Sequence, residues 1–190
     1  NNVRTNFFTD EQFQQLVAVS ADHVRPILIL AYFTGCRLNE LLNLKWSQLD
    51  LKEREFKLNP GETKNKEGRV IPLNNTLVSM FENLPRVNEY VFTYRGKRVK
   101  SIWRAFKRAS IDAGLEDYHF HDLRRCGARN LVRAGVPEDV VMKIGGWKSR
   151  SMLTRYNIVS TQDLKEAMQK REKTISSMEK LSTKDLPGPL

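Results

Sequence analysis

The chain has 190 residues, of which 40% are hydrophobic and 28% charged, a balance that excludes a disordered polyampholyte and fits a globular domain with its own core. Its 32 Lys and Arg outnumber its 22 Asp and Glu, and the resulting net charge of +10 favours a polyanionic partner, most often nucleic acid. The longest apolar run, Pro26 to Phe33, is too short to span a membrane, and Cys36 and Cys126 are too few for a disulfide framework, which favours a reducing, cytoplasmic setting.

The first half of the chain predicts helices and then a small sheet. Residues 1–8 show no hydrophobic periodicity and indicate a linker or the boundary of the cloned segment. Thr9 and Gln12 have the spacing of a capping box at the start of a helix. The predicted elements are a helix from Thr9, helices over Pro26–Gly35 and Leu38–Leu44, strands over Glu55–Asn59, Glu62–Asn65 and Arg69–Leu73, a helix over Thr76–Leu84 and a strand over Tyr90–Thr93.

The second half is predicted to be helical in segments that glycines separate. These segments cover residues 100–113, 121–134, 137–144, 149–156 and 160–172, and residues 173–190 are predicted to form a mobile tail. The expected fold is mainly α with a small antiparallel β-sheet. In the last helix, Leu164, Ala167 and Met168 form a short apolar stripe, which packs either on its own domain or on a neighbouring protomer.

Positive charge is concentrated in this second half. Ile102, Phe106 and Ala109 share one helical face, so they are predicted to be core and the cations between them to face solvent. Such a run is ordinarily a solvated helix face, but several runs in a chain of this net charge, including four arginines from Arg124 to Arg133, favour phosphate contact. The predicted DNA-binding residues are Arg95, Lys97, Arg98, Lys100, Arg104, Lys107, Arg108, Lys148 and Arg150.

The chemistry that these residues favour uses no metal. The sequence has no glycine-rich phosphate loop and no Cys or His spacing typical of a zinc site, and its carboxylates are scattered rather than paired for two catalytic metals. Cleavage of a phosphodiester by this chain would need cationic side chains to stabilise the transition state and a protein nucleophile or an activated water. We therefore predict no metal and no cofactor.

Three segments offer those groups. Arg37 follows the helix break at Gly35, where the backbone N–H groups of a new helix favour an anion, and Glu40 lies on the same side and could orient Arg37. His121 and Arg124 share a helix face at i and i+3, an imidazole and a guanidinium that suit a phosphate. Taken singly, each pair is more often structural, an ordinary cap or salt bridge.

The third segment begins at Gly145-Gly146 and carries Trp147 and, nine residues later, Tyr156 among cations. Nearby positive charge lowers the pKa of a tyrosine and helps it to react as a phenolate. Taken alone, Tyr156 is more often a core or interface aromatic.

In their order along the chain, these segments resemble the tyrosine recombinase family, and phage-type integrases most closely. The matching segments are Gly-Cys-Arg-Leu-Asn-Glu-Leu-Leu-Asn-Leu from Gly35, Thr63-Lys64 before Arg69-Val70-Ile71-Pro72-Leu73, His121-Asp122-Leu123-Arg124, and Gly-Gly-Trp-Lys-Ser-Arg-Ser with Arg155-Tyr156-Asn157-Ile158. The resemblance implies that family's catalytic core fold over residues 9–172. It also implies cleavage and rejoining of double-stranded DNA at attachment sites through a 3′-phosphotyrosine, without metal or ATP, by a tetramer on DNA.

The resemblance also implies roles for single residues. Arg37 and Arg124 correspond to the two arginines that bind the scissile phosphate, and Lys64 to the lysine that protonates the leaving 5′ oxygen. His121 corresponds to the histidine that assists proton transfer, and Tyr156 to the nucleophile.

Two further residues take supporting roles in that correspondence. Trp147 occupies the position that histidine usually holds, and its indole N–H can donate to a phosphate oxygen but cannot carry a proton. Glu40 corresponds to a common supporting acid.

Some alternatives stay open from the sequence. Lys66 projects from the same face of an extended strand as Lys64, so the general acid is one of the two, with Lys64 preferred. A type IB topoisomerase-like enzyme, or a catalytically silent DNA-binding module of the same fold, would share these residues. Full-length integrases also carry an N-terminal core-binding domain, for which the chain has no room, so we expect a catalytic fragment of a longer protein.

Overall fold

The computed structural model describes residues 6–61, 68–154, 164–165 and 167–172. The chain divides into two compact units, Asn1–Asn157 and Ile158–Leu190. The first unit contains helices α1 (Asp10–Val19), α2 (Arg25–Thr34), α3 (Leu38–Leu42), α4 (Asn75–Glu82), α5 (Trp103–Asp112), α6 (Phe120–Arg133), α7 (Glu138–Gly145) and α8 (Arg150–Thr154). Its strands are β1 (Leu49–Asp50), β2 (Glu55–Leu58), β3 (Arg69–Pro72), β4 (Thr93–Tyr94) and β5 (Lys97–Arg98). The predicted fold class, mainly α with small antiparallel β structure, is confirmed.

The predicted capping box at the start of α1 is present. The Thr9 hydroxyl accepts a hydrogen bond from the Gln12 amide at 3.2 Å, and the Gln12 side chain accepts one from the Thr9 amide at 3.0 Å. These two bonds satisfy amides that have no partner inside the helix. Phe13 and Leu16, on the inner face of α1, are buried in the core.

Helix α2 is the central element of the core. Its residues Ile27, Leu28, Leu30 and Ala31 are fully buried, and α2 packs against α6. The helix ends at Gly35, whose φ of 64° is the left-handed conformation that glycine adopts without steric cost. That turn directs the chain into α3 and sets the position of Arg37.

The small sheets agree with the prediction only in part. Strands β1, β2 and β3 form an antiparallel sheet in that order, with Phe56 opposite Ile71 on the buried face. The predicted strands over Glu55–Asn59 and Arg69–Leu73 correspond to β2 and β3, whereas the sequence pattern indicates no strand at β1. The predicted strand over Tyr90–Thr93 is wrong in its extent, because only Thr93 belongs to a strand and Tyr90 makes an isolated bridge with Lys45. The predicted strand over Glu62–Asn65 lies outside the described residues.

A second two-stranded sheet, β4 with β5, follows Tyr90. Arg95 and Gly96 both have positive φ, 50° and 76°, and they form the two-residue turn that joins the two strands as a hairpin. The hairpin uses residues up to Arg98, so the helix predicted from residue 100 begins only at Trp103. Within α5 the predicted core face is confirmed, since Ile102, Phe106 and Ala109 are buried.

In the second unit, residues 164–165 and 167–172 are helical. Leu164 and Met168, on the predicted apolar stripe, are 59% and 65% exposed. The predicted tail, 173–190, lies outside the described residues. No helix in the described parts of the chain is long and apolar enough to cross a membrane.

Candidate active site

The site is built where α6 crosses the end of α2. Gly127 makes this crossing possible, because a Cβ at that position would lie 2.7 Å from the Gly35 nitrogen. Arg124, about one turn earlier on α6, therefore lies against the turn that follows α2. Its Nη1 donates to the Gly35 carbonyl and, at 2.7 Å, to the Gly145 carbonyl at the end of α7. Arg124 is thus held between two helix ends.

Trp147 forms the other wall around Arg124. The guanidinium carbon of Arg124 lies 4.1 Å from the centre of the indole ring, a cation–π contact. The ring itself is buried with Ala128, Val141 and Leu153. Gly145 leaves room for it, since a Cβ there would come within 1.7 Å of the indole.

Arg37, Glu40 and Arg69 form a hydrogen-bonded cluster beside this pair. Glu40, on α3, accepts from the Arg37 amide and from Arg37 Nη1, both at 2.9 Å. It also accepts from Arg69 Nη2 at 2.6 Å and from Arg69 Nη1 at 3.1 Å. Arg37 Nη2 donates to the Gly146 carbonyl at 3.2 Å. The contact that sequence reasoning expected between Glu40 and Arg37 is therefore present.

Arg69 is the residue that sequence reasoning missed. It lies on β3, and its side chain is only 9% exposed. The signal was present in the Arg-Val-Ile-Pro-Leu segment, where an arginine begins a short, half-buried strand. A buried guanidinium requires a nearby acid, but the sequence does not say that the acid is Glu40.

Burial and the neighbouring charges shift the pKa values of Arg124 and Glu40. Burial, and then the charge of Arg37, lower the pKa of Arg124 to about 10, so this guanidinium stays charged at neutral pH. Burial alone would raise the pKa of Glu40, but the hydrogen bonds from Arg69 and Arg37 outweigh it and lower that pKa. The cluster and Arg124 together carry three guanidinium groups against the one carboxylate of Glu40, and this excess of positive charge suits a phosphate.

His121 lies near these arginines on the first turn of α6. Although the residue reaches solvent, partial desolvation and then the charge of Arg124 lower its pKa below 6.5. This shift favours the neutral imidazole, which can accept a proton. A groove of about 760 Å³ between β3 and α7, which Arg69, Gly146 and Trp147 help to line, opens beside the cluster.

Comparison with known proteins agrees with this geometry. Residues 6–163 match the phage integrase family.

The chain belongs to the phage integrase family.

The integrase of Salmonella phage P22 is 28% identical over 183 residues, which cover 87% of this chain and 46% of that protein. Among solved structures, the XerA recombinase has a TM-score of 0.73 at 21% identity, covering 87% of this chain and 63% of the other. A lambda integrase dimer bound to a COC′ core site has a TM-score of 0.69 at 22% identity, covering 83% and 49%. The predicted family and the tyrosine recombinase fold are confirmed, and the chain spans between 46% and 63% of the length of these relatives.

In this integrase-family chain, the structure brings together five of the predicted site residues. Contacts join Arg37, Glu40, Arg124 and Trp147 around the ends of α2 and α7, and His121 lies near Arg124 and Arg37 on the first turn of α6. Lys64, Lys66, Arg155 and Tyr156 lie outside the described residues.

Tyr118, a tyrosine three residues before His121, is engaged elsewhere in the integrase-family fold. Its hydroxyl donates to the Gln12 side chain at 3.1 Å, and its ring lies 4.4 Å from that of Phe8. The structure thus gives Tyr118 a packing role against α1.

The predicted DNA-binding cations fall on different elements. Three of them, Arg95, Lys97 and Arg98, are on the β4–β5 hairpin. The guanidinium carbon of Arg98 lies 4.9 Å from the centre of the Tyr90 ring, and its Nη1 donates a hydrogen bond to Asn43 Oδ1. On α5 and just before it, Lys100, Arg104 and Lys107 are exposed, whereas Arg108 pairs with Asp112 at 2.9 Å. Near α8, Lys148 is exposed and Arg150 pairs with Asp139 at 3.1 Å.

Two members of the arginine run on α6 make contacts within the protein. Arg125 is buried, and its Nη1 lies 3.4 Å from Asp122 Oδ1. Its guanidinium carbon lies 4.8 Å from the centre of the Phe7 ring. The guanidinium carbon of Arg129 lies 4.0 Å from the centre of the same ring, and its Nη2 donates to the Phe8 carbonyl at 3.3 Å. These two arginines hold the N-terminal segment against α6 instead of facing outward.

Proposed function

We propose that this chain is the catalytic domain of a site-specific DNA recombinase that breaks and rejoins strands through a covalent 3′-phosphotyrosine. The observation that carries the proposal is the arrangement of Arg37 and Arg124. Both guanidinium groups donate to backbone carbonyls at the end of α7, and Arg124 also donates to the Gly35 carbonyl at the end of α2. A histidine with a lowered pKa lies near them. Membership of the phage integrase family supports the same chemistry.

In the proposed cleavage step, the Tyr156 phenol oxygen attacks the scissile phosphorus while the bond from phosphorus to the 5′ oxygen breaks. Arg37 and Arg124 bind the non-bridging oxygens and stabilise the charge of the five-coordinate transition state. His121 accepts the phenolic proton, and Lys64 gives a proton to the leaving 5′ oxygen.

Rejoining reverses these steps with a new 5′ hydroxyl. The phosphotyrosyl link retains the energy of the phosphodiester bond, so the proposed reaction needs no ATP, and Arg37 and Arg124 stabilise the transition-state charge that a metal would otherwise stabilise. Glu40 keeps Arg37 in place, and the indole of Trp147 fixes the plane of Arg124.

The partner that we propose is double-stranded DNA at the attachment sites of a mobile element, in the cytoplasm. Exchange between two sites requires two cleaved duplexes and therefore four active sites, so we propose a tetramer on DNA. The amphipathic helix around Leu164 and Met168 is proposed to pack on a neighbouring protomer, because it presents apolar side chains that are more than half exposed.

A covalent-capture experiment tests the proposed function. The chain is incubated with a library of nicked duplexes that carry randomised half-sites, and adducts that survive denaturant are recovered and sequenced. The nick lets the short product strand diffuse away, so the phosphotyrosine accumulates. Tyr156→Phe removes only the phenolic oxygen, so DNA affinity should stay unchanged and the adduct should vanish. An adduct that persists in Tyr156→Phe would contradict the assignment of the nucleophile.

The selected duplex also distinguishes Lys64 from Lys66. A bridging phosphorothiolate at the 5′ position leaves without a proton, so this substrate should restore cleavage by Lys64→Ala but not by Tyr156→Phe. Lys66→Ala is the matched control and should cleave the normal substrate nearly as the unaltered chain does. Rescue of Lys66→Ala, with normal cleavage by Lys64→Ala, would assign the general acid to Lys66.

Exchange between duplexes separates a recombinase from a topoisomerase-like enzyme. A recombinase joins the strand of one duplex to that of another, whereas a topoisomerase-like enzyme relaxes supercoiled DNA and rejoins the same strand. We expect joined products when two differently labelled duplexes are mixed. Relaxation without any joined product would favour the topoisomerase alternative.

A further inference from the structure

Arg69 connects β3 to the arginine that is proposed to bind the phosphate. We propose that Arg69 is a positioning residue, which balances the charge of Glu40 so that Glu40 can orient Arg37 without neutralising it. This inference rests on the proposed function and deepens it.

The hydrogen bonds around Glu40 are the first support. Each carboxylate oxygen accepts one bond from Arg37 and one from Arg69, at distances between 2.6 and 3.1 Å. A carboxylate has about four lone-pair sites, so these four bonds saturate it. Glu40 is buried, and a buried carboxylate is stable only when its oxygens have such partners.

The fixed position of Arg69 is the second support. Its Nε donates to the Ile144 carbonyl at 2.9 Å, and its Nη2 lies 3.7 Å from the Cys36 sulfur. Gly146 leaves space for the guanidinium, because a Cβ there would lie 2.9 Å from Arg69 Nη1. The carbonyl of the same glycine accepts from Arg37. Arg69 thus joins β3, α3 and the end of α7 around one carboxylate.

The balance of charge is the third support. If Glu40 had Arg37 as its sole partner, the two charges would cancel and weaken the attraction between Arg37 and a phosphate. The paired bonds from Arg69, at 2.6 and 3.1 Å, give Glu40 its own counter-charge. The positive charge of Arg37 then remains available to an anion, while Glu40 still fixes where that charge lies.

A charge-balance experiment tests this role in the full chain. Arg69→Met removes the counter-charge at similar length, so single-turnover cleavage of the selected nicked duplex should slow by roughly 10- to 100-fold. In the Arg69→Met background, Glu40→Gln removes the unbalanced negative charge and should recover roughly tenfold of that rate. Arg69→Lys keeps the charge but loses the paired hydrogen bonds, so its cleavage rate should lie between those of the unaltered chain and of Arg69→Met.

A matched control separates positioning from general stability. Arg125 is also a buried arginine with an acidic partner, Asp122, at 3.4 Å. Arg125→Met should lower the midpoint of thermal unfolding as Arg69→Met does. At pH 8, where the His121 imidazole is neutral with or without the charge of Arg125, it should leave the cleavage rate within about twofold. Wild-type cleavage by Arg69→Met, or no recovery on adding Glu40→Gln, would overturn the proposal.

A second measurement tests the positioning without any turnover. In ¹⁵N spectra of the arginine side chains, Arg69→Met should speed the rotation of the Arg37 guanidinium, whereas Arg125→Met should not. If Arg69→Met does not fold, Arg69→Lys is measured in the same way. Unchanged Arg37 signals would overturn the positioning role. If the unaltered chain forms no adduct with any duplex, the proposed function fails, and these spectra still decide the role of Arg69.

Discussion

At the scale of single residues, the environment of Arg124 explains why this site suits a phosphate. Its side chain is buried, and the partners of its Nη1 are backbone carbonyls, which bind a guanidinium but carry no net charge to balance it. Burial and the charge of Arg37 accordingly lower its pKa to about 10. A phosphate bound between the two arginines would supply the missing negative charge, so binding should stabilise the fold as well as begin the reaction.

The pKa of His121 gives a pH-dependent prediction. Partial desolvation and the charges of Arg124, Arg125 and Arg37 lower this pKa below 6.5, against the opposing charge of Asp122. Because the unfolded chain takes up this proton first, the His121 contribution to the free energy of unfolding should fall as the pH drops below 6.5 and level off below the folded pKa. An NMR titration of the imidazole should give a midpoint below 6.5 in the free chain.

Bound DNA should move that midpoint upward, because phosphate charge favours the imidazolium. The pKa of His23 is also lowered, mainly by burial. Its ring stacks on Tyr94 at 4.1 Å, so His23→Gln is a control that should leave the titration of His121 unchanged. A His121 midpoint above 6.5 in the free chain would contradict the electrostatic account.

At the scale of elements, the contact between α6 and the end of α2 decides whether Arg124 reaches its carbonyls. Gly127→Ala would place a Cβ 2.7 Å from the Gly35 nitrogen, so we expect the helices to separate and the free energy of unfolding to fall by about 1–3 kcal/mol. Cleavage should slow as well, since Arg124 would shift from Gly35 and Gly145. Denaturant unfolding and adduct formation measure the two effects.

Gly135→Ala is the matched control for that crossing. Gly135 follows α6 with a φ of 85° in open space, so the substitution strains only the backbone and should cost about 1–2 kcal/mol. Its cleavage rate should remain normal under conditions where the chain is folded. Equal losses of cleavage in both variants would show that the crossing has no special effect on the site.

Helix α5 gives a prediction about the basic face. Lys107 and Arg108 are adjacent and exposed, but Arg108 pairs with Asp112 at 2.9 Å, and no ion pair of Lys107 occurs within the described ranges. If α5 contacts phosphates, Lys107→Gln should reduce the slope of log K against log[salt] by about 0.9, whereas Arg108→Gln should change the slope less. Fluorescence anisotropy with one duplex over a salt series measures both slopes. Equal changes would mean that the pair with Asp112 opens on DNA.

At the scale of the whole molecule, the core and the C-terminal unit make separate contributions. The buried apolar residues of the described core lie between Phe8 and Leu153. Deletion of residues 160–190 should therefore leave the core folded, with a similar unfolding midpoint, while it impairs assembly on DNA. Sedimentation of the protein–DNA complex measures the assembly, and Leu164→Ser with Met168→Ser is a smaller change that should act in the same direction. Normal assembly by both variants would remove the proposed packing between protomers.

Short spacings between residues in the sequence predicted much of the secondary structure and several of the site residues. The capping box at Thr9, the buried face of α5 and the glycine breaks between helices follow from spacings of three or four residues, which the backbone geometry of a helix sets by itself. The segments around Arg37, His121 and Trp147 could likewise be assigned to one family from their residues and order. Such features need no knowledge of distant contacts, so the sequence alone predicted them.

Only the tertiary structure showed which residues that are distant along the chain contact each other. Arg69 is 29 residues from Glu40, and Arg124 is 89 residues from the Gly35 carbonyl that it binds. The inward turn of Arg125 depends on Phe7, and the close crossing of α6 depends on the absence of a side chain at Gly127. Charge and hydropathy describe each residue separately, whereas a buried guanidinium is stable only beside the particular carboxylate, carbonyl or ring that packing brings to it. The fold therefore decided which arginines complete the site and which ones hold the core.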